Sequence, residues 1–245
     1  MKISCVIICR NEEKNIKDCI KSVSFADEII VIDNKSTDDT VKLAAELGAR
    51  IFVIEALDFS YLRNIGKEKA KNEWIFYIDA DERVTEELSS EIKNTSIKQS
   101  GFAALTIVRQ NYYLGHIWPK KERIVRLIKK DKLIGWQGSL HETPQVSGKI
   151  GNFNGILLHF THNTLHSMVE KTNEWSEIEA QLRYKNNHPK MSWWRFLRVI
   201  LTSFLNSYIK DSGWKAGTVG LIESIYQSFS HFVTYAKLWE KQNIH

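Results

Sequence analysis

The fold is decided by a pattern that is clearest at residues 74–81, which read WIFYIDAD. Five apolar residues form a run with the length and composition of a buried strand, and two aspartates, Asp79 and Asp81, follow it closely. Three earlier runs have the same character, at residues 3–9, 28–33 and 49–54. Amphipathic helical patterns separate these runs. Strands that alternate with helices through short connections predict a parallel sheet covered by helices on both faces.

Polar residues at the strand ends indicate where the first helices begin. Asn11 belongs to the residue types that cap helix N-termini, and Glu12 after it suits the positive end of a helix dipole. Ser36 or Thr37 is expected to cap the second helix in the same way. A third helical pattern covers residues 61–71.

The pattern becomes less regular after residue 100. Strands are predicted at residues 102–109 and 124–128, with an aromatic loop at residues 112–119 between them. Helices are predicted at residues 167–184, 193–209 and 219–241. We therefore expect an α/β domain at residues 1–163 and a helical extension at residues 164–245. The extension would contact an acceptor, a membrane surface or a second copy of the chain.

Composition narrows the class of protein. The 245 residues are 43% hydrophobic and 26% charged, which is typical of a globular protein and excludes a disordered chain. The three cysteines lie within the first twenty residues and form no CxxC pair, which favours a reducing, cytoplasmic compartment. The sequence contains no window of about 18 apolar residues, so it predicts no membrane-spanning helix.

Charge is distributed unevenly along the chain. The first hundred residues carry 15 basic and 19 acidic side chains, whereas the remainder carries a net charge of +9 and seven of the eight tryptophans. The basic side chains are densest at residues 120–132. This run would bind a diphosphate, an anionic acceptor or lipid head groups, or it is a solvated strand edge.

Three polar clusters follow predicted strands, at residues 10–12, 33–36 and 79–81. In parallel α/β sheets, ligands bind beyond the carboxyl ends of the strands, so one nucleotide-sized ligand would account for all three clusters. Asp79 and Asp81 are suited to Mg²⁺, which takes one or two carboxylates together with substrate phosphates. The alternative for this pair is a solvated turn. Asp33 would accept hydrogen bonds from a base or ribose, or would cap a helix.

Further candidates depend on residue type alone. Arg63 would hold a diphosphate or an acid, or lie on the surface. Glu142 follows His141 in a segment rich in glycine and tryptophan, and would act as a general base or be an exposed loop residue. His159 and His162 are more often packing residues than metal ligands. The predicted helix at residues 193–209 has one broad apolar face, which suits a membrane interface, docking on the core or dimerisation.

Taken together, IICRNE at residues 7–12, IVIDNKSTD at residues 30–38 and IDADE at residues 78–82 resemble the family 2 glycosyltransferases. The sequence WQG at residues 136–138, followed by Glu142 and a helical C-terminal part, is similar to the subgroup that includes the lipopolysaccharide-core glucosyltransferases. The resemblance implies a GT-A fold, a nucleotide-diphosphate-sugar donor with uridine as its base, a divalent cation (Mg²⁺ or Mn²⁺), and inversion at the anomeric carbon.

The resemblance also implies roles for individual residues. Asp33 would contact the nucleobase, and Arg63 would lie near the donor phosphates. Asp79 would contact the ribose or assist the metal, and Asp81 would bind the metal through the donor diphosphate. Glu142 would deprotonate the acceptor. The full donor-binding set would be Cys9, Asn11, Glu12, Asp33, Ser36, Arg63, Asp79 and Arg126. The QxxRW motif of processive members is absent from the sequence, which favours transfer of a single hexose.

The expected acceptor is a saccharide or lipid-linked saccharide of the cell envelope, reached from the cytoplasm or from the inner face of the cytoplasmic membrane. Contact with the membrane surface and a homodimer are compatible with this role, and no nucleic-acid partner is expected. Two other functions compete with it. One is a non-catalytic nucleic-acid-binding protein that uses residues 120–132, and the other is a sugar-phosphate nucleotidyltransferase on the same fold. The chain lacks a P-loop and a G-x-S-x-G elbow, which disfavours P-loop NTPases and hydrolases of that type.

Overall fold

The computed structural model describes residues 2–56, 58–94, 101–138 and 142–244. Strands and helices alternate in the first part of the chain, in the order β1 (Ile3–Cys9), α1 (Ile16–Ser22), β2 (Glu28–Asp33), α2 (Thr40–Glu46), β3 (Arg50–Val53), α3 (Phe59–Lys69) and β4 (Trp74–Asp79). The next elements are β5 (Glu82–Val84), α4 (Glu86–Asn94), β6 (Ala104–Tyr113), β7 (His116–Ile117), β8 (Glu122–Lys129), β9 (Leu133–Gln137), β10 (Thr143–Val146) and β11 (Ile150–Phe160). Three helices follow, α5 (Leu165–Lys185), α6 (Trp193–Leu205) and α7 (Gly217–Asn243).

One sheet contains nine of the strands in the described residues. Its order is β3-β2-β1-β4-β8-β6-β11-β5, and β7 pairs with the end of β6. Strands β3, β2, β1 and β4 are parallel to one another, as the first hundred residues predict. Strand β8 is antiparallel to both β4 and β6, and β5 is antiparallel to β11. The α/β class is therefore confirmed, with an antiparallel part added to the parallel one.

The core lies on both faces of this sheet. Every residue of β1 is buried, and alternate side chains of the strand enter two separate apolar clusters. Cys5 and Ile7 join the cluster that contains α1, whereas Val6 and Ile8 join the cluster that contains Leu62 of α3. A strand that is buried on both faces reads as a continuous apolar run, which is why its sequence was recognisable.

The predicted helix caps are wrong. Helix α1 begins at Ile16, and Asn11 has a positive φ of 55° and accepts a hydrogen bond from the backbone N–H of Thr37 at 2.8 Å. Helix α2 begins at Thr40, four residues after Ser36. The polar side chains after β1 and β2 thus bind the neighbouring loop instead of their own helix, because the two strands end side by side.

The segment predicted as an aromatic loop is partly strand. Strand β6 continues to Tyr113 and pairs with β7, and Trp118 is buried. Contacts divide the chain into two compact units, residues 1–110 with 122–159 and residues 111–121 with 160–245. The aromatic segment therefore belongs to the helical unit. The proposed domain boundary after residue 163 stays a prediction.

Three long helices dominate the second unit, close to the predicted ranges. Helix α7 packs against both α5 and α6. The predicted helix at residues 193–209 is α-helical to Leu205 and continues as a π-helical turn over Asn206–Lys210. Among the helices of the described ranges, none has the length and apolar character needed to cross a membrane.

Helix α3 approaches β1 closely at Gly66. A Cβ atom added there would lie 2.4 Å from Cγ1 of Val6, so only glycine fits without movement of the helix or the strand. Gly66 is on the same face of α3 as Leu62 and Arg63, both of which are buried. The close approach therefore sets the depth at which Arg63 enters the protein.

Gly66→Val is expected to lower the free energy of unfolding by about 2–3 kcal/mol, because overpacking a filled core is destabilising. Glu68→Val places the same side chain on the exposed face of α3 and is expected to cost only about 0.5 kcal/mol in helix propensity. Urea denaturation of both variants measures the difference. Equal stabilities of the two variants would contradict the close packing at Gly66.

Candidate active site

Three strands end side by side at one edge of the sheet. Strand β1 lies between β2 and β4, and the register pairs Cys9 with Asp33 and Ile8 with Asp79. The polar clusters that follow these strands are therefore neighbours, although they are far apart in sequence. This is the edge at which parallel α/β sheets bind their ligands.

Asp33 is fully buried and held in a fixed orientation. Its Oδ2 accepts a hydrogen bond from the backbone N–H of Ser36 at 3.0 Å, and its Oδ1 accepts from the Ser36 hydroxyl and the Cys9 thiol. Burial, and then the negative charge of Asp33, raise the pKa of Cys9 far above the usual range for a thiol. Cys9 therefore stays protonated and donates.

The loops after β1 and β2 are joined around this aspartate. The Ser36 hydroxyl accepts from the backbone N–H of Asn11 at 2.8 Å, and the Thr40 hydroxyl accepts from the backbone N–H of Glu12 at 2.8 Å. The structure thus brings together Cys9, Asn11, Glu12, Asp33 and Ser36, the predicted donor-binding residues of this region. The connections fix the backbone around the buried carboxylate.

Asp79 lies between two buried arginines. Nη2 of Arg63 donates to Oδ1 at 2.8 Å, and Nη2 of Arg126 donates to Oδ2 at 2.7 Å. Burial would raise the pKa of this carboxyl, but the two guanidinium groups outweigh burial and hold the pKa well below its usual range. Asp79 is therefore ionised, and each of its oxygens is engaged by a cation of the protein.

Glu82 completes this cluster and was not among the predicted site residues. It is fully buried, and its carboxylate accepts from Nη2 of Arg126 at 2.6 Å and from the backbone N–H of Asp79 at 3.0 Å. Arg109 approaches Glu82 at 3.4 Å and also pairs with Glu122. Arginines inside otherwise apolar strands were the sequence signal that could have pointed to Glu82, because a buried arginine requires an acidic partner.

Glu142 is joined to the same cluster through Arg63. Nε of Arg63 donates to Oε1 of Glu142 at 2.7 Å, so a single guanidinium group binds both Glu142 and Asp79. The guanidinium also lies 4.8 Å from the ring centroid of Trp136, a cation–π contact that holds it in place. Arg63 is only 4% exposed, which excludes the alternative of a surface arginine.

Asp81 has a different neighbour. Its Oδ2 lies 3.5 Å from Nε2 of His159. Burial lowers the pKa of His159, but the Asp81 carboxylate outweighs burial and raises it. His162 instead hydrogen-bonds Glu223 at 3.1 Å, so the two histidines considered together in the sequence have separate partners. Within the described ranges, no three or more His, Cys, Asp or Glu side chains are assembled into a metal-binding group.

Two buried N–H groups of the arginine cluster have no hydrogen-bond partner among the described residues, Nη1 of Arg63 and Nε of Arg126. An unsatisfied buried donor costs about 1–3 kcal/mol.

The basic run at residues 120–132 does not form one anion-binding surface. Arg126 is buried in the cluster described above, whereas Arg123 donates to the backbone carbonyl of Phe153 at 3.0 Å. Lys129 pairs with Glu73. The nucleic-acid-binding alternative used the basic side chains of this run, and these three are engaged within the protein.

Arg126→Met is expected to lower the free energy of unfolding by about 3–5 kcal/mol, because it leaves Asp79 and Glu82 buried without their cation. Arg123→Met, on the exposed side of the same strand, removes one hydrogen bond to a carbonyl and is expected to cost about 1 kcal/mol. Thermal and urea unfolding measure both. A cost for Arg126→Met no larger than that for Arg123→Met would contradict the buried ion cluster.

Comparison with known proteins identifies the family of this chain. The family model for glycosyl transferase family 2 matches residues 4–157, more than half of the chain. An uncharacterized glycosyltransferase of Rickettsia prowazekii is 32% identical, over 97% of this chain and 86% of the relative. The lipopolysaccharide core biosynthesis glycosyltransferase LpsC of Rhizobium meliloti is 27% identical, over 98% of this chain and 93% of the relative.

A solved structure shares the fold. S. aureus TarS, residues 1–349 in complex with UDP-GlcNAc, has a TM-score of 0.51 and 12% identity, over 100% of this chain and 92% of that chain. At this identity the likeness concerns the fold alone, and it confirms the expected GT-A fold. The residues matched by the family model include the three strand-end clusters and the two arginines that bind Asp79. The chain belongs to glycosyl transferase family 2 and is a glycosyltransferase.

Proposed function

We propose that this glycosyltransferase moves a single hexose from a UDP-sugar to a hydroxyl group of a saccharide in a glycan of the lipopolysaccharide-core type, with inversion and with a divalent cation. The observation that carries the proposal is the convergence of Asp33, Asp79, Asp81 and Glu142 at one edge of the sheet. Such a transfer requires a group that accepts a hydrogen bond from the nucleobase and a carboxylate that binds the metal. It also requires a fixed anionic group and a general base that deprotonates the acceptor hydroxyl.

Asp33 is proposed to bind the nucleobase. Among the residues that the structure describes, its Oδ1 accepts two hydrogen bonds and its Oδ2 accepts one, from the backbone N–H of Ser36, so Oδ2 keeps acceptor capacity. The imide N–H of uracil is a donor that fits this position. Because the carboxylate is buried and fixed by Ser36 and Cys9, it would discriminate against bases that present an acceptor there.

Asp81 is proposed to hold the cation, with the donor phosphates completing its coordination. Both oxygens of Asp79 are engaged by Arg63 and Arg126, so the direct contact with the cation is proposed for Asp81, the residue to which the family resemblance gives it. A bound cation would neutralise the charge that develops on the departing diphosphate.

Glu142 is proposed as the base. Arg63 occupies Oε1 and leaves Oε2 able to take a proton. In the reaction, Oε2 would accept the proton of the acceptor hydroxyl while that oxygen bonds to the anomeric carbon and the bond from this carbon to the diphosphate oxygen breaks. A single displacement of this kind inverts the configuration. Asp79 acts as a positioning residue, because it shares Arg63 with Glu142.

The acceptor class rests on two observations. The relative from Rhizobium meliloti carries the name of a lipopolysaccharide core biosynthesis enzyme and aligns over nearly the whole chain. Trp136 and Glu142, which belong to the part that resembles lipopolysaccharide-core glucosyltransferases, are both joined to Arg63.

A thermal-shift panel of nucleotides, with and without Mn²⁺ or Mg²⁺, tests the donor site. UDP at about 100 times its Kd should stabilise the fold by roughly 2.7 kcal/mol. The metal-dependent part of this shift should disappear in Asp81→Ala and persist in Asp131→Ala, which removes an exposed carboxylate elsewhere. A metal-dependent shift of full size in Asp81→Ala would contradict the metal role, and the absence of any shift with UDP would contradict the donor site.

Glu142→Gln is expected to lower the rate of sugar transfer by about 10²–10⁴-fold while the affinity for UDP stays unchanged. The substitution keeps the shape of the side chain and an oxygen for Arg63, but the amide cannot take the proton. The control Glu73→Gln makes the same substitution at an exposed glutamate, and it should retain full activity. Transfer at the wild-type rate in Glu142→Gln would assign the base elsewhere.

A further inference from the structure

The helical unit carries an exposed apolar surface that the active site does not use. Helix α6 packs on α7 through one side: the rings of Phe196 and Phe232 lie 5.7 Å apart, Val199 is buried, and the backbone carbonyl of Ile200 accepts from the hydroxyl of Ser228. For the adjacent side of α6, the described residues show no comparable packing contact. This side presents large apolar residues, exposed by 46% to 76%, at Trp193, Trp194, Leu197, Leu201 and Leu205.

Helix α7 continues this surface. At about 100° per residue, its exposed apolar residues form one stripe. They are Leu221, Ile225, Phe229 and Phe232. The two helices run antiparallel, since Ser207 contacts Ser224 while Ile200 contacts Ser228. Viewed from its own N-terminus, each helix turns in the same direction from the residues that contact the other helix to its exposed apolar residues. Because the two helices are antiparallel, this places both sets of exposed apolar residues on the same side of the helix pair. We call these nine residues the α6–α7 apolar face.

Two arginines lie beside Trp194 of this face, and the stretch of chain that forms the face contains few acidic residues. Residues 190–239 contain only two acidic side chains, Asp211 and Glu223. Asp211 pairs with Lys120 at 2.5 Å, and Glu223 is buried. The basic residues of the same stretch are Lys190, Arg195, Arg198, Lys210, Lys215 and Lys237. The guanidinium groups of Arg195 and Arg198 lie 5.0 and 5.6 Å from the ring centroid of Trp194.

We propose that the α6–α7 apolar face binds the surface of a lipid bilayer that carries anionic head groups. Apolar side chains beside tryptophan and arginine are suited to the boundary between head groups and acyl chains. Helix α6 has 13 residues and is about 20 Å long, well short of the roughly 30 Å of a bilayer core, so it would lie in the plane of the membrane. Each basic residue near the surface should strengthen binding about fivefold.

Charge complementarity favours a lipid surface over a second copy of the chain. In a two-fold symmetric dimer the same face meets itself, which would bring Arg195 and Arg198 of both copies together. Among the described residues 190–239, both acidic side chains, Asp211 and Glu223, already have partners within the protein. Anionic head groups supply the missing negative charge. The inference does not depend on the proposed donor, cation or base.

Vesicle co-sedimentation tests the proposal without any substrate. Wild-type protein should bind vesicles of equimolar phosphatidylcholine and phosphatidylglycerol at least tenfold more tightly than vesicles of phosphatidylcholine alone, and added salt should weaken the binding. Failure to bind the mixed vesicles, or equal binding to both kinds, would overturn the proposal.

Two variants, each with a matched control, locate the surface. Leu201→Ser should weaken binding about tenfold, whereas Ile134→Ser, at an apolar residue of β9 that is still more exposed, should have no effect. Arg195→Ala combined with Arg198→Ala should weaken binding by roughly tenfold or more, and Lys171→Ala with Lys185→Ala on α5 should change it little. Because these side chains are exposed or only half-buried, the variants should unfold at the wild-type temperature. Unchanged binding in Leu201→Ser, or a lipid-free dimer that Leu201→Ser dissociates, would overturn the proposal.

Discussion

The hydrogen bonds from Arg63 and Arg126 to the two oxygens of Asp79 are the interaction on which the active-site region depends. Asp79 ends β4, Arg63 comes from α3 and Arg126 from β8, so one carboxylate fixes a helix and two antiparallel strands relative to each other. Each arginine also binds a second carboxylate: Arg63 binds Glu142, and Arg126 binds Glu82. Orientation of the predicted base is therefore coupled to the end of the central parallel strand, where the donor is expected to bind.

Such a cluster is a costly way to stabilise a fold. Moving charges out of water costs several kcal/mol for each ion, and well-packed apolar residues of similar volume often stabilise a protein as well or better. Here the two arginines also keep N–H groups that have no partner among the described residues, which adds to the cost. The arrangement is understandable if its use is to present fixed charges to an anionic substrate, since groups that are already oriented need no rearrangement during the reaction.

Much of the fold was predictable from local sequence, because strands that are buried on both faces leave continuous apolar runs such as residues 3–9 and 74–79. The clusters at the ends of these strands were predictable for the same reason, since a parallel sheet brings those ends together. Contacts between distant segments were not predictable in this way. Nothing near Asn11 indicates that its side chain binds the loop at Thr37, and nothing near Glu82 indicates burial beneath Arg126. The pairing of His159 with Asp81 likewise depends on β11 crossing the sheet beside β5.

The edge formed by β2, β1 and β4 is proposed as the donor site, with the nucleobase at Asp33 and the diphosphate near Asp81. A crystal structure of the protein with UDP and Mn²⁺ is the measurement that decides this. Uracil is expected to donate its imide N–H to Oδ2 of Asp33, and Asp81 is expected to hold Mn²⁺ together with the diphosphate. A nucleotide bound away from this edge, or bound here with its nucleobase turned away from Asp33, would show that the donor site lies elsewhere.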